Sequence, residues 1–308
     1  MTQAPFYVEH AEAPPDGKAC WIKASDGVRL RMVYWSKGEK GTVLIFPGRT
    51  EFVEKYGRTA ATFQALGYGV AVIDWRGQGL SDRLAPNRKL GHVGEFGDYQ
   101  LDVEAMMGEI VALEMPKPYF LCSHSMGGAI ALRALQNGLA VKRPVFIAPM
   151  WGLTIDPLWR PLVQALSAGS KTVGLGAEFA PGTSPKNYLN TSKYPDNVLT
   201  SSEDTWDYLV RMTKAHAGLE IGGPSIQWLY EALTETKELS GMEPPDYEVF
   251  CFIGSDEKVV NRRDVFDYAA KWSGAQVVVM TGARHEILME TPEIQARAFR
   301  LIDGYFTS

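Results

Sequence analysis

Apolar positions along the chain change period near residue 40. Before it, Val28, Leu30, Met32 and Tyr34 alternate with Arg29, Arg31 and Val33, and Asp26-Gly27 separates them from residues 19–24. That alternation predicts an antiparallel hairpin with one solvated face. Beyond it, short unbroken apolar runs occur at residues 43–46, 70–73, 119–122, 145–148, 249–253 and 277–280. Each has the length of a strand buried on both faces. Helical spacing fills most of the gaps. Val53, Tyr56, Ala60 and Phe63 share one helix face, stopped by Gly67. Tyr99, Val103, Met106, Ile110 and Leu113 share another, with Asp98 placed as N-cap. Val265, Tyr268, Ala269 and Trp272 mark a third. Ile294, Ala298, Leu301 and Tyr305 mark the last, opened by Thr291 and Pro292. These are the residue types that start helices. Buried strands alternating with helices predict a mostly parallel α/β sheet of about eight strands, covered on both faces.

The alternation breaks between residues 150 and 223. That segment shows helical patches at 159–166 and 205–215, no clear buried strand, and Trp151, Trp159 and Trp206. It is expected to be a helical cap on a core made of residues 1–149 and 224–308. A cap would lie over the carboxyl edge of the sheet, where open α/β folds bind ligands. The three tryptophans are then candidates to line a substrate pocket, though such rings also fill ordinary cores.

Composition narrows the function. A net charge of −5 over 308 residues argues against nucleic acid as a partner. Cys20, Cys122 and Cys251 are odd in number, and two lie in apolar runs, so no disulfide framework is expected and a cytoplasmic setting is. The N-terminal residues lack the basic-then-apolar order of a signal peptide, and no apolar stretch is long enough for a membrane span.

Chemistry concentrates at Ser123-His-Ser-Met-Gly127, between the 119–122 run and an apolar helical pattern. A serine between small residues on a strand-to-helix turn is a nucleophile elbow, here with Ser123 where the usual G-x-S-x-G has glycine. The hydroxyl of Ser125 needs a base, an acid to orient the base, and donors for the oxyanion. His285 follows the last buried run and precedes the last helix, as a base should. The other histidines lie in the N-terminal tail (His10), a polar loop (His92), the insertion (His216), or beside the serine and pointing away from it (His124). The acid is Asp256 or Glu257, in the loop after residues 249–253. Gly48 permits a tight turn after residues 43–46, so the N–H of Arg49 joins that of Met126 as an oxyanion donor. The order serine, acid, histidine is that of the α/β-hydrolases. No Cys/His cluster has metal spacing, and Asp74-Trp-Arg-Gly-Gln-Gly-Leu-Ser81 lacks the third glycine and Lys-Ser/Thr pair of a phosphate loop. No metal or cofactor is expected.

The chain resembles the lysophospholipase and monoacylglycerol lipase branch of the α/β-hydrolases, especially bacterial lysophospholipases. The stretches that carry the resemblance are Pro47-Gly-Arg-Thr-Glu-Phe-Val-Glu-Lys-Tyr56, Asp74 to Ser81, Ser123 to Gly128, Asn197-Val-Leu-Thr200 and Gly282 to Glu286. The resemblance implies a serine-ester mechanism on a single-acyl lipid, with Asp74 and Arg76 pairing locally in a structural turn. It also implies an acid three residues after the strand-end Gly254, which favours Glu257 over Asp256. The expected partner is a small acyl ester or lysolipid, with no transmembrane segment and at most transient contact with a membrane surface. The same triad serves thioesterases, aminopeptidases, acyltransferases and C–C hydrolases, and a non-catalytic binder of this fold is a further alternative. Arg49 also places a cation beside any substrate. It would either meet a phosphate head group or, as the plainer expectation, pair with Glu51 or Glu54.

Overall fold

The computed structural model describes residues 2–153 and 175–308. The helical patch expected at 159–166, and Trp159 with it, lie outside the described residues. Nine strands form one sheet: β1 (Thr2–Gln3), β2 (Lys18–Lys23), β3 (Arg29–Trp35), β4 (Thr42–Phe46), β5 (Gly69–Asp74), β6 (Tyr119–His124), β7 (Lys142–Ile147), β8 (Val249–Gly254) and β9 (Ala275–Met280). Their spatial order is β1-β2-β3-β5-β4-β6-β7-β8-β9. β1 to β3 pair antiparallel, β3 joins β5 antiparallel, and every later pairing is parallel.

Pleating sorts each apolar run between two cores. Leu44, Phe46, Ala71, Ile73 and Leu121 point into one, with helices Tyr99–Ala112 and Met126–Gln136 packed over them. Val43, Ile45, Val70, Val72, Phe120 and Cys122 point into the other, under Gly57–Ala65 and Pro292–Thr307. Period-two alternation of side chains makes an unbroken apolar run the natural sequence for a strand with helices on both sides.

Three expectations are corrected. β3 has no solvated face: Arg31 is fully buried and pairs with Asp74 at 2.7 Å and Glu54 at 2.7 Å. β9 is an edge strand, so of residues 277–280 only Met280 is buried. Asp74 and Arg76 do not pair with each other; Arg76 bonds Asp102 and Asp26 instead. Asp98 does take the N-cap position of helix Tyr99–Ala112, though its side chain makes no cap bond there. It lies in a 3₁₀ turn, Phe96–Asp98, and accepts from the Glu95 N–H in a capping box. Thr291 does take the N-cap position before Pro292. Between β7 and β8, within residues 175–223, the described helices are Tyr188–Thr191 and Glu203–Ala215.

Candidate active site

Ser125 sits between β6 and helix Met126–Gln136 with φ +50° and ψ −118°. A non-glycine residue in that region is strained, and the surrounding bonds hold it there. The Ser125 N–H donates to the Ile147 carbonyl at 3.1 Å, and its carbonyl accepts from Gly128 at 2.8 Å and Met150 at 2.9 Å. A Cβ on Gly127 would fall 2.1 Å from the Phe46 carbonyl oxygen, so the helix can approach β4 only with glycine there. Ser123 fits where the pattern has glycine because its hydroxyl donates to the Val145 carbonyl at 3.2 Å.

His285 follows β9 and is buried. Its Nδ1 lies 2.7 Å from Glu257 Oε2. A proton donated there leaves the Nε2 lone pair free to accept another. Glu257 Oε1 accepts from the Val259 N–H at 2.5 Å and the Val260 N–H at 3.1 Å. Burial opposes its charge, but the His285 contact and those two N–H groups hold Glu257 below the usual carboxylate range. Asp256 is exposed, and among the described residues its side chain bonds only the neighbouring Ser255 hydroxyl. The structure thus brings Glu257, not Asp256, to His285.

The loop after β4 carries Arg49, with Thr50 at φ +66°. Gln78 clamps it, accepting from the Thr50 N–H at 2.7 Å and donating to the Gly48 carbonyl at 3.2 Å. Among the described residues neither the Arg49 N–H nor the Met126 N–H donates to a protein acceptor. Ser125, His285, Arg49 and Met126 all line one cavity of about 320 Å³. Apolar residues dominate the rest of its wall, among them Met150, Leu189, Leu199, Leu209 and Trp228.

Trp151 and Trp206 do not line this cavity. Trp151 packs on Phe146, Tyr268 and Trp272 in the core, and Trp206 packs against Tyr188. Among the described residues the tryptophan at the cavity is Trp228, whose N–H donates to the Tyr99 hydroxyl at 3.2 Å.

A charged cluster behind the oxyanion loop went unread in the sequence. Glu51 accepts from the Gly48 N–H at 2.5 Å, Lys55 Nζ at 2.8 Å, His124 Nδ1 at 2.8 Å and the Tyr56 hydroxyl. Lys55 also donates to Glu286 at 2.6 Å, and His124 Nε2 lies 3.2 Å from the His285 carbonyl oxygen. Burial works against charge on His124, but Glu286 and Glu51 outweigh it and lift its pKa to about 9. His124 is therefore an imidazolium at neutral pH, donating from both nitrogens. Its only sequence signal is position: it precedes the nucleophile as Glu286 follows the base, while Glu51, in the loop, stands four residues before Lys55 in the turn Val53–Tyr56. Glu51, His124 and Glu286 bring ligand atoms within 4.8 Å of one another, but the Lys55 ammonium already bridges the two carboxylates. That leaves the trio a poor fit for a metal ion.

The family described as "Serine aminopeptidase, S33" matches residues 37–292. The chain belongs to that family of α/β-hydrolases. Among curated relatives, lysophospholipase L2 of Escherichia coli strain K12 is 30% identical over 291 residues, covering 91% of this chain and 85% of the relative. Probable lysophospholipase L2 of Haemophilus influenzae is 26% identical over 270 residues, covering 85% and 82%. Among solved structures, a soluble variant of Saccharomyces cerevisiae monoglyceride lipase superposes with TM-score 0.71 at 19% identity, covering 92% of this chain and 93% of that one. A carboxyl esterase from Bacillus coagulans gives 0.72 at 17%, covering 96% and 99%. This family member is a hydrolase, and among the described residues no helix is long and apolar enough to cross a membrane.

Proposed function

We propose that this hydrolase cleaves the carboxylic ester of a single-acyl lipid, a lysophospholipid or monoacylglycerol, through an acyl-serine intermediate. One observation carries the reading: Ser125 and His285 share a cavity whose remaining wall is mostly apolar. In the proposed mechanism Ser125 Oγ attacks the ester carbonyl and passes its proton to His285 Nε2. Glu257 fixes the His285 tautomer through Nδ1 and stabilises the imidazolium that forms. The Arg49 and Met126 N–H groups take the oxyanion. Collapse expels the glycerol-bearing alcohol, protonated by His285, and water then repeats the sequence to release the fatty acid. The proposed steps use only these side chains, the two peptide N–H groups and water. Residues 150–223 act as a cap. Asn187, Tyr188, Leu189, Val198, Leu199 and Leu209 from that stretch reach the cavity, which supports the assignment. Its three buried, unpaired cysteines fit a reducing compartment such as the cytoplasm.

The family description also names an aminopeptidase reaction. Such an enzyme needs an anion for the free amine of its substrate. The cavity's carboxylates Glu51 and Glu286 are both committed to Lys55 among the described residues, which favours the ester. The test is labelling with a fluorophosphonate, followed by hydrolysis of esters and aminoacyl amides of graded chain length. Ser125→Ala should melt like the parent and lose both label and turnover. Label on another serine, or amide turnover exceeding ester turnover, would reject the reading.

A further inference from the structure

Four ionisable side chains on the cavity wall, Glu51, Lys55, His285 and Glu286, belong to the machinery already described. Glu51, Lys55 and Glu286 neutralise one another together with His124, and Glu257 answers His285 from behind the wall. Arg49 stands apart. Neither Glu51 nor Glu54 pairs with it, since Glu54 holds Arg31 through two bonds of 2.7 Å. Among the described residues its guanidinium donates once, from one Nη to the Gly222 carbonyl at 3.1 Å, and lies 5.4 Å over the Trp228 ring. Among the described residues no carboxylate lies within ion-pair distance of it. A guanidinium has five N–H donors in a planar fork, so most of this one's hydrogen-bonding capacity is uncommitted. The cost of this arrangement is visible: burial without an anion pulls Arg49 down to about 10, low for an arginine yet fully charged at neutral pH. A cation held partly out of water beside a nucleophile, with its fork open, is a costly feature unless an anion arrives to meet it.

Building on the single-acyl lipid reading, we infer that Arg49 is the anchor for the head-group phosphate of a lysophospholipid. Its peptide N–H and its side chain leave the same residue. The atoms that receive the ester oxygen and the atoms that receive the phosphate are thereby fixed relative to each other. In the substrate only the three glycerol carbons and their two bridging oxygens separate the ester carbon from the phosphorus. The Trp228 face and the Gly222 carbonyl hold the guanidinium plane without neutralising it, as a pre-set receptor should. A Cβ on Gly91 would come 3.1 Å from the same Nη, so this side of the fork packs against bare backbone.

The experiment compares 1-acyl-glycerophosphocholine with the monoacylglycerol of the same chain, using the parent enzyme, Arg49→Met and Arg49→Lys. Arg49→Met keeps the peptide N–H and the apolar stem. One charge-assisted contact corresponds to roughly tenfold to a hundredfold in affinity. KM for the phospholipid should therefore rise by about that factor more than KM for the monoacylglycerol, and Arg49→Lys should recover part of the difference. As a readout independent of turnover on lipid, glycerol 3-phosphate should inhibit hydrolysis of a short nitrophenyl ester competitively in the parent and much more weakly in Arg49→Met. A melting temperature near the parent's and retained fluorophosphonate labelling establish that the variant is folded. Equal losses on both lipids would overturn the inference and make Arg49 a structural clamp. So would loss of inhibition by fatty acid in place of glycerol phosphate, since the anion met would then be the product carboxylate. If the parent hydrolyses neither lipid, the failure belongs to the single-acyl reading and the inference falls with it.

Discussion

Single atoms decide which of two neighbouring carboxylates takes part in the proposed chemistry. Glu257 Oε2 meets His285 while Asp256 faces solvent, so Glu257→Gln should lower kcat by orders of magnitude and Asp256→Asn by less than about twofold. Steady-state kinetics on any good ester separates them, and the reverse ranking would make Asp256 the acid. His124 leads to a prediction about pH. Its folded pKa is about 9, above the ordinary histidine value of 6.5. A raised pKa stabilises the fold fully below the unfolded value and loses that contribution as pH climbs through the folded one. Thermal melts should therefore fall between pH 6.5 and 9, and His124→Gln should flatten that slope while lowering stability at neutral pH. A parent melt independent of pH across this window would mean the imidazolium is not there. At this scale the sequence was partly readable. Ser125 and His285 announce themselves by the elements that flank them. The Glu51–Lys55–His124–Glu286 cluster does not, because it joins residues 231 positions apart and no local period marks it.

Among elements, the strand-to-helix junction at β6 is the most constrained. Gly127→Ala would set a methyl group 2.1 Å from backbone that the sheet holds in place. We expect a loss of about 1–3 kcal/mol or more, or failure to fold, measured by denaturant unfolding. A substitution costing under half that would mean helix Met126–Gln136 can slide away from β4. Trp151 illustrates the opposite lesson. As a core ring against Phe146, Tyr268 and Trp272, its truncation to Ala should cost about 3–5 kcal/mol and leave the preference among acyl chain lengths unaltered. A shift in chain-length preference at unchanged stability would contradict that placement. The sequence located the strands well because buried runs and helical periods differ sharply. It misjudged β9 and β3 because an edge position and a buried ion pair are properties of neighbours. Arg31 reads as an outward residue until Asp74 and Glu54 are seen beside it.

At the scale of the molecule, the two cores and the parallel centre of the sheet followed from the sequence pattern, while the cavity did not. Its wall is drawn from residues as distant as Arg49 and Glu286, and, among the described residues, from Trp228 rather than Trp151 or Trp206. Each methylene buried in such a wall contributes about 0.8 kcal/mol. On that basis kcat/KM should climb with acyl chain length until the space is filled and then level off. A flat series from acetyl upward would remove the argument for a lipid chain. The sheet has one more consequence. β7 and β8 lie side by side, yet residues 148–248 separate them along the chain. The entropy of closing a loop grows only with the logarithm of its length, at about 0.6 kcal/mol per doubling. Exchanging much of that excursion for a longer or shorter one thus asks little of the sheet, whose hydrogen-bonded register is set elsewhere. We expect substrate preference in this architecture to be a detachable trait: the segment between Trp151 and Pro224 could be exchanged for that of another member while the elbow, the base and the acid stay where they are.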